Sequence, residues 1–125
     1  MRQERQRLEN IAQTAAAIAR SIAGLDSRRF AALFAGDDTF ADALSYRLVV
    51  IGEAIGALLG DPAQGRAAAA LIAAHPQIDW PGYAAMRPIL AHQDFRRAPA
   101  LIWTTVADEL PALHDVISRE LARKA

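Results

Sequence analysis

The chain has 125 residues, no cysteine, a formal net charge of zero and 53% apolar residues, with alanine prominent among them. This length suits one domain with one core and is too short for two. The missing cysteines exclude disulfides and thiolate metal sites, and the charge balance argues against a dedicated duplex-DNA surface, which carries a basic excess. Any nucleic-acid site must therefore be local. No apolar run is read as reaching the ~18 residues of a membrane span, and Met1-Arg2-Gln3-Glu4-Arg5 lacks an apolar signal core, so a cytoplasmic protein is expected. Alanine favours helix, and strand formers are sparse.

The first predicted helix carries Leu8, Ile11, Ala15, Ile18, Ile22 and Leu25 at three- and four-residue intervals, one continuous apolar stripe. Gly24 offers the left-handed residue that ends it. Asp26 or Ser27 then caps a short helix with Phe30, Leu33 and Phe34. Asp37, Asp38 and Thr39 offer caps for a long helix over Phe40 to Leu59. Its middle, Leu48 to Ile55, is apolar nearly all round, which places it centrally in a bundle. Gly52 and Gly56 share a face there. Each costs about 1 kcal/mol against alanine, and close approach by a neighbouring helix would offset that.

A short helix follows from Arg66 to Ala74, stopped by His75-Pro76. Asp79-Trp80-Pro81 starts another, with proline in the first turn, running towards Ala91 through a kink at Pro88. The last helix starts near Pro99. Its stripe is Ile102, Val106, Leu110, Leu113, Ile117 and Leu121, with a kink expected at Pro111. The expectation is a single all-α domain over 1–125, four or five helices in an up-down bundle.

The candidate site lies in Met86-Arg87-Pro88-Ile89-Leu90-Ala91-His92-Gln93-Asp94-Phe95-Arg96-Arg97. Arg87 and His92 stand five residues apart, about 140° around an ideal helix. A regular helix would not aim both at one atom. The helix ends before His92, or Pro88 redirects it, or two chains combine their pairs in one cleft. Read alone, a histidine closing a helix and an arginine in a surface ion pair account for the same residues.

Four pieces together resemble the HepT-like toxin family of the HEPN superfamily. They are Ile51-Gly52-Glu53-Ala54, His75-Pro76-Gln77-Ile78-Asp79-Trp80, Met86-Arg87 through His92, and Ile102-Trp103-Thr104-Thr105-Val106 followed by Asp108-Glu109-Leu110-Pro111. The resemblance covers roughly residues 40 to 115. It implies a HEPN-like helical bundle and a homodimer whose arginine–histidine motifs meet in a shared cleft. It also implies RNA cleavage without metal or other cofactor, and an MntA-like nucleotidyltransferase antitoxin as partner. In that family the antitoxin attaches AMP to a tyrosine just after the histidine.

The residue types suit this chemistry. Histidine, with an unperturbed pKa near 6.5, serves as acid or base. Arginine clamps phosphate with parallel hydrogen bonds. His92 and Arg87 are therefore the expected catalytic pair. Arg96 and Arg97 either contact RNA phosphates or solvate a loop. Glu53, expected among apolar neighbours and hence with a partner, either makes a structural bond or orients Arg87. The sequence departs from the family pattern at Pro88, where a polar residue is common, and at Asp94, where the modified tyrosine stands. Asp94 could orient His92. Tyr83 lies one turn before Arg87. The alternative reading is a weakened or inactive HEPN module that binds a nucleotidyltransferase-type antitoxin.

Among the remaining candidates, His75 reads as a helix terminator and His114 with Asp115 as a surface pair. Trp80 and Trp103 read as core or interface anchors. No cluster has convincing metal spacing. The first helix and the Arg87–His92 region are both candidate dimer faces.

Overall fold

In the computed structural model, the residues described are 2–60, 65–86 and 98–124. They are helical, with no strand among them, in the order α1 (Arg2–Ile22), α2 (Ser27–Gly36), α3 (Asp38–Gly60), α4 (Gly65–Ala74) and α5 (Trp80–Ala84). A final run follows without interruption: α6 (Pro99–Trp103), a π-helical stretch π1 (Thr104–Glu109) and α7 (Leu110–Lys124). α3 packs on α1, α2, α4 and α5, and α1 packs on α3, π1 and α7. The all-α bundle is as expected, with α3 at its centre.

The apolar stripe of α1 is its buried face. Leu8, Ile11 and Ile18 are wholly inaccessible, and Ala15 and Ile22 nearly so. Glu4 continues that stripe one turn earlier and is also buried, which apolar periodicity does not reveal. Gly24 ends the helix at φ +81°, a conformation cheap only for glycine. Asp26 caps α2 by accepting the Arg29 N–H at 2.8 Å, and Asp37 accepts the Phe40 N–H at 3.1 Å at the start of α3. Phe30 then ties three elements together. Its ring lies 5.5 Å from Phe34, 5.9 Å edge-on from Phe40 and 5.1 Å from Trp103, within the range of favourable aromatic pairs.

Three expectations need correction. First, α3 is long and apolar enough, by length and composition, to cross a membrane, with one third of its most apolar window buried within the chain. Arg47 and Glu53 interrupt that run when contiguous apolar residues are counted. Second, the helix expected to run towards Ala91 is interrupted at Ala85, with Met86 helical again, and its positions 87–91 lie outside the described residues. Ala85 sits at φ −82°, ψ −3°, its N–H shared between the carbonyls of Pro81 and Tyr83. Pro88 has no N–H to offer a carbonyl one turn earlier. Third, the irregularity at Pro111 takes the form of π1. The Leu110 N–H reaches back five residues to the Thr105 carbonyl, the wider turn that commonly absorbs a disrupted ladder. Thr104 and Thr105 add to it, their hydroxyls donating to the carbonyls of Ala100 and Leu101 at 3.1 Å each. The stripe from Ile102 to Ile117 is nonetheless buried as expected.

Candidate functional site

Arg87, Pro88, His92, Asp94, Arg96 and Arg97 lie outside the described residues. The structure does describe the two ends of the chain that hold this segment, and both meet at one place.

The N-terminal end is α5. Asp79 caps it by accepting the Gly82 N–H at 3.1 Å, and Pro81 occupies the first turn, where a missing N–H costs nothing. Trp80 is 3% exposed, and its Nε1–H donates to the His75 carbonyl at 3.0 Å. The loop that leaves α4 is thereby pinned to the start of α5. His75 closes α4 as expected, and its Nδ1 lies 3.4 Å from Gln77 Nε2.

α5 lies against α3 through Gly52. A Cβ at this position would collide with the Tyr83 carbonyl oxygen, whereas one at Gly56 would rest 3.8 Å from Ala84 Cβ. Only Gly52 is therefore required for the close approach read from the glycine pair. Met86, immediately before Arg87, packs partly buried on the same core.

The C-terminal end is α6. Met86, Leu101 and Ile102 line a common cavity of about 230 Å³ with Asp79, Gly82, Tyr83, Thr105 and Glu109. Described residues from either side of the 87–97 segment thus line one cavity. A second cavity of about 240 Å³ shares Asp79, Tyr83 and Glu109 and adds Gln77, Ile78, Asp108 and Ala112.

Tyr83 stands between these two cavities. It is 4% exposed, and its hydroxyl finds no hydrogen-bond partner in the protein. Burial raises its pKa above the ordinary 10, and the charges of Glu109 and Asp79 raise it further. At neutral pH it is therefore an un-ionised phenol. That burial also removes Tyr83 as an exposed acceptor for modification. The sequence reading left this residue aside. Thr105 and Glu109, four apart on one helical face, were the signal that a polar feature faces it.

Glu53 is the one predicted site residue among those described, and it is exposed rather than set among apolar neighbours. The buried face of α3 runs through Leu48, Ile51, Gly52, Ile55 and Leu58, and Glu53 falls beside that stripe. His114 and Asp115 do not form the expected pair. Asp115 instead meets Arg119 one turn on, at 3.2 Å, because neighbouring helical residues do not face each other. Among the described residues, no group of three or more His, Asp or Glu side chains is placed to hold a metal ion.

A family model, Ribonuclease HepT-like, matches residues 7–120. No curated protein and no solved structure matches. The match takes in α1, which the sequence motifs left out, together with both arms of the cavity and the Arg87–His92 segment between them. The chain belongs to the HepT-like ribonuclease family, and its all-helical bundle is HEPN-like.

Proposed function

We propose that this protein is a metal-independent endoribonuclease and the toxin of a prokaryotic toxin–antitoxin pair, acting in the cytoplasm as a homodimer. The observation that carries the reading is the family match over 7–120, which contains Arg87 and His92 in the family's arginine–histidine spacing. His92 of one protomer takes the proton of a ribose 2′-OH, which attacks the adjacent phosphorus. Arg87 holds the phosphate oxygens as their charge grows. The second protomer's histidine gives a proton to the departing 5′ oxygen. The products carry a 2′,3′-cyclic phosphate and a 5′-OH. Arg96 and Arg97 add phosphate contacts, and Asp94 orients His92.

The incompletely buried apolar length of α3 supports self-association. An MntA-like nucleotidyltransferase is the proposed antitoxin. With Asp94 in place of the family tyrosine and Tyr83 buried, neutralisation proceeds by covering the cleft. The second reading, a non-catalytic module bound to the same antitoxin, rests on Pro88 and Asp94.

The test is RNA cleavage by the purified protein in EDTA, beside folded His92→Ala and Arg87→Ala variants. The expected result is cleavage with cyclic-phosphate ends, reduced at least about 100-fold in each variant. An all-DNA analogue should remain intact. Cleavage that survives both substitutions rejects the assignment. Absence of cleavage together with tight antitoxin binding selects the second reading.

A further inference from the structure

Among the described residues, the walls of the paired cavities around Tyr83 carry no cation that would hold a phosphate. Asp79, Asp108 and Glu109 give their walls three carboxylates in a chain whose net charge is zero. Among the described residues none of the three has a cationic partner. Asp79 spends one oxygen on the Gly82 N–H. Asp108 and Glu109 are exposed at the rim. These described carboxylates repel phosphate.

Met86, Leu101 and Ile102 add an apolar part to the described lining, and Leu101 is 63% exposed although large and hydrophobic. Tyr83 lines both cavities, and its hydroxyl is buried and without a partner in the protein. An orphaned buried hydroxyl is costly, and it stays protonated here, so it can both donate and accept. Its oxygen faces the field of Glu109 and Asp79. Among the described residues the carboxylates form no group able to hold a metal ion, so a compact divalent cation is not their match. A cation with an apolar stem is. Such a stem would lie on Met86, Leu101 and Ile102, with its N–H groups turned towards Glu109, Asp79 and the Tyr83 hydroxyl.

We propose that the Tyr83 cavity is a binding site for an alkylammonium or alkylguanidinium group. Two sources present that chemistry: a free alkylamine, and a lysine or arginine side chain of a partner protein. The site does not depend on the nuclease reading, because it is argued from described residues alone, none of which belongs to the Arg87–His92 machinery.

The probes are n-butylammonium and n-butylguanidinium, with n-pentanol as the neutral counterpart, and a short Gly-Arg-Gly peptide blocked at both ends. Each is titrated into the full-length protein at constant ionic strength, following backbone amide and Tyr83 ring NMR signals. Saturable shifts at Tyr83, Thr105 and Glu109 with the cations, and at least about tenfold weaker binding of n-pentanol, are expected from a charged hydrogen-bonded site. Tyr83→Phe and Glu109→Gln should each weaken the cations several-fold. Asp115→Asn, which removes a carboxylate elsewhere on the surface, should not. Amide dispersion of each variant confirms that it is folded. Saturation by the peptide at lower concentration than by butylguanidinium selects a partner side chain as the source, and the reverse order selects a free amine. Shifts of equal size with n-pentanol, unchanged binding in Tyr83→Phe, or no saturable shift with either cation overturns the proposal.

Discussion

The two sides of α5 are packed to different standards. Towards α3 the approach is so close that the Tyr83 carbonyl oxygen occupies the place of a side chain at Gly52. Towards π1 the same tyrosine leaves its hydroxyl unbonded between two cavities. One residue thus has its backbone held tightly and its hydroxyl buried without a partner. The tight side is what a short helix needs. With five residues, α5 has too few internal hydrogen bonds to persist by itself, so α3 and the Trp80–His75 bond hold it. The open side is what a binding surface needs, because a fully satisfied and filled wall offers nothing to a ligand.

Breaking the tight side has the largest expected effect. Gly52→Ala forces a methyl group into backbone rather than into a flexible side chain, and should destabilise the protein by about 2–3 kcal/mol. Urea unfolding followed by far-UV circular dichroism measures it. A change within a few tenths of a kcal/mol would mean that α5 slides freely on α3.

A smaller effect, opposite in sign, is expected on the open side. Tyr83→Phe removes a hydroxyl that has no protein partner while keeping the ring that packs, and should stabilise by about 1 kcal/mol. The same variant should alter the pH dependence. The folded-state pKa of Tyr83 lies above the unfolded value near 10, so above that pH the unfolded chain loses a proton that the folded chain keeps. The contribution of Tyr83 is fully present below pH 10 and falls as pH rises beyond it. Unfolding curves of parent and variant from pH 8 to 11 should therefore diverge at the alkaline end, with the parent losing stability faster. Parallel curves would show that the hydroxyl is hydrated as it is in the unfolded chain.

The smallest effect sharpens the comparison within a single helix. Gly56→Ala places its methyl at ordinary contact distance from Ala84. It should gain up to about 1 kcal/mol from helix propensity. Two glycines four residues apart on the same face should thus respond in opposite directions.

Much of the architecture could be read from the chain. Period 3.6 placed the buried stripes of α1 and of the last helical run, and capping residues marked the starts of α2, α3 and α5. These are local rules, obeyed by residues within a turn or two of one another. The two glycines of α3 signalled a close neighbour, but only the position of Tyr83 shows that Gly52 meets it and Gly56 does not. The family motifs marked Arg87 and His92, and their geometry lies outside the described residues.

What the sequence by itself determined, then, is an all-helical chain with its apolar faces, its caps and its family. The tertiary structure decided which side chains share a space. Glu53 faces outward because the α3 stripe runs one residue away. Glu4 is buried because it continues the stripe of α1. Tyr83, Asp79 and Glu109 converge because α5 and π1 line the same cavities. No rule of spacing links a residue to another so far along the chain. Only packing brings them together, and only packing leaves a hydroxyl there without a partner.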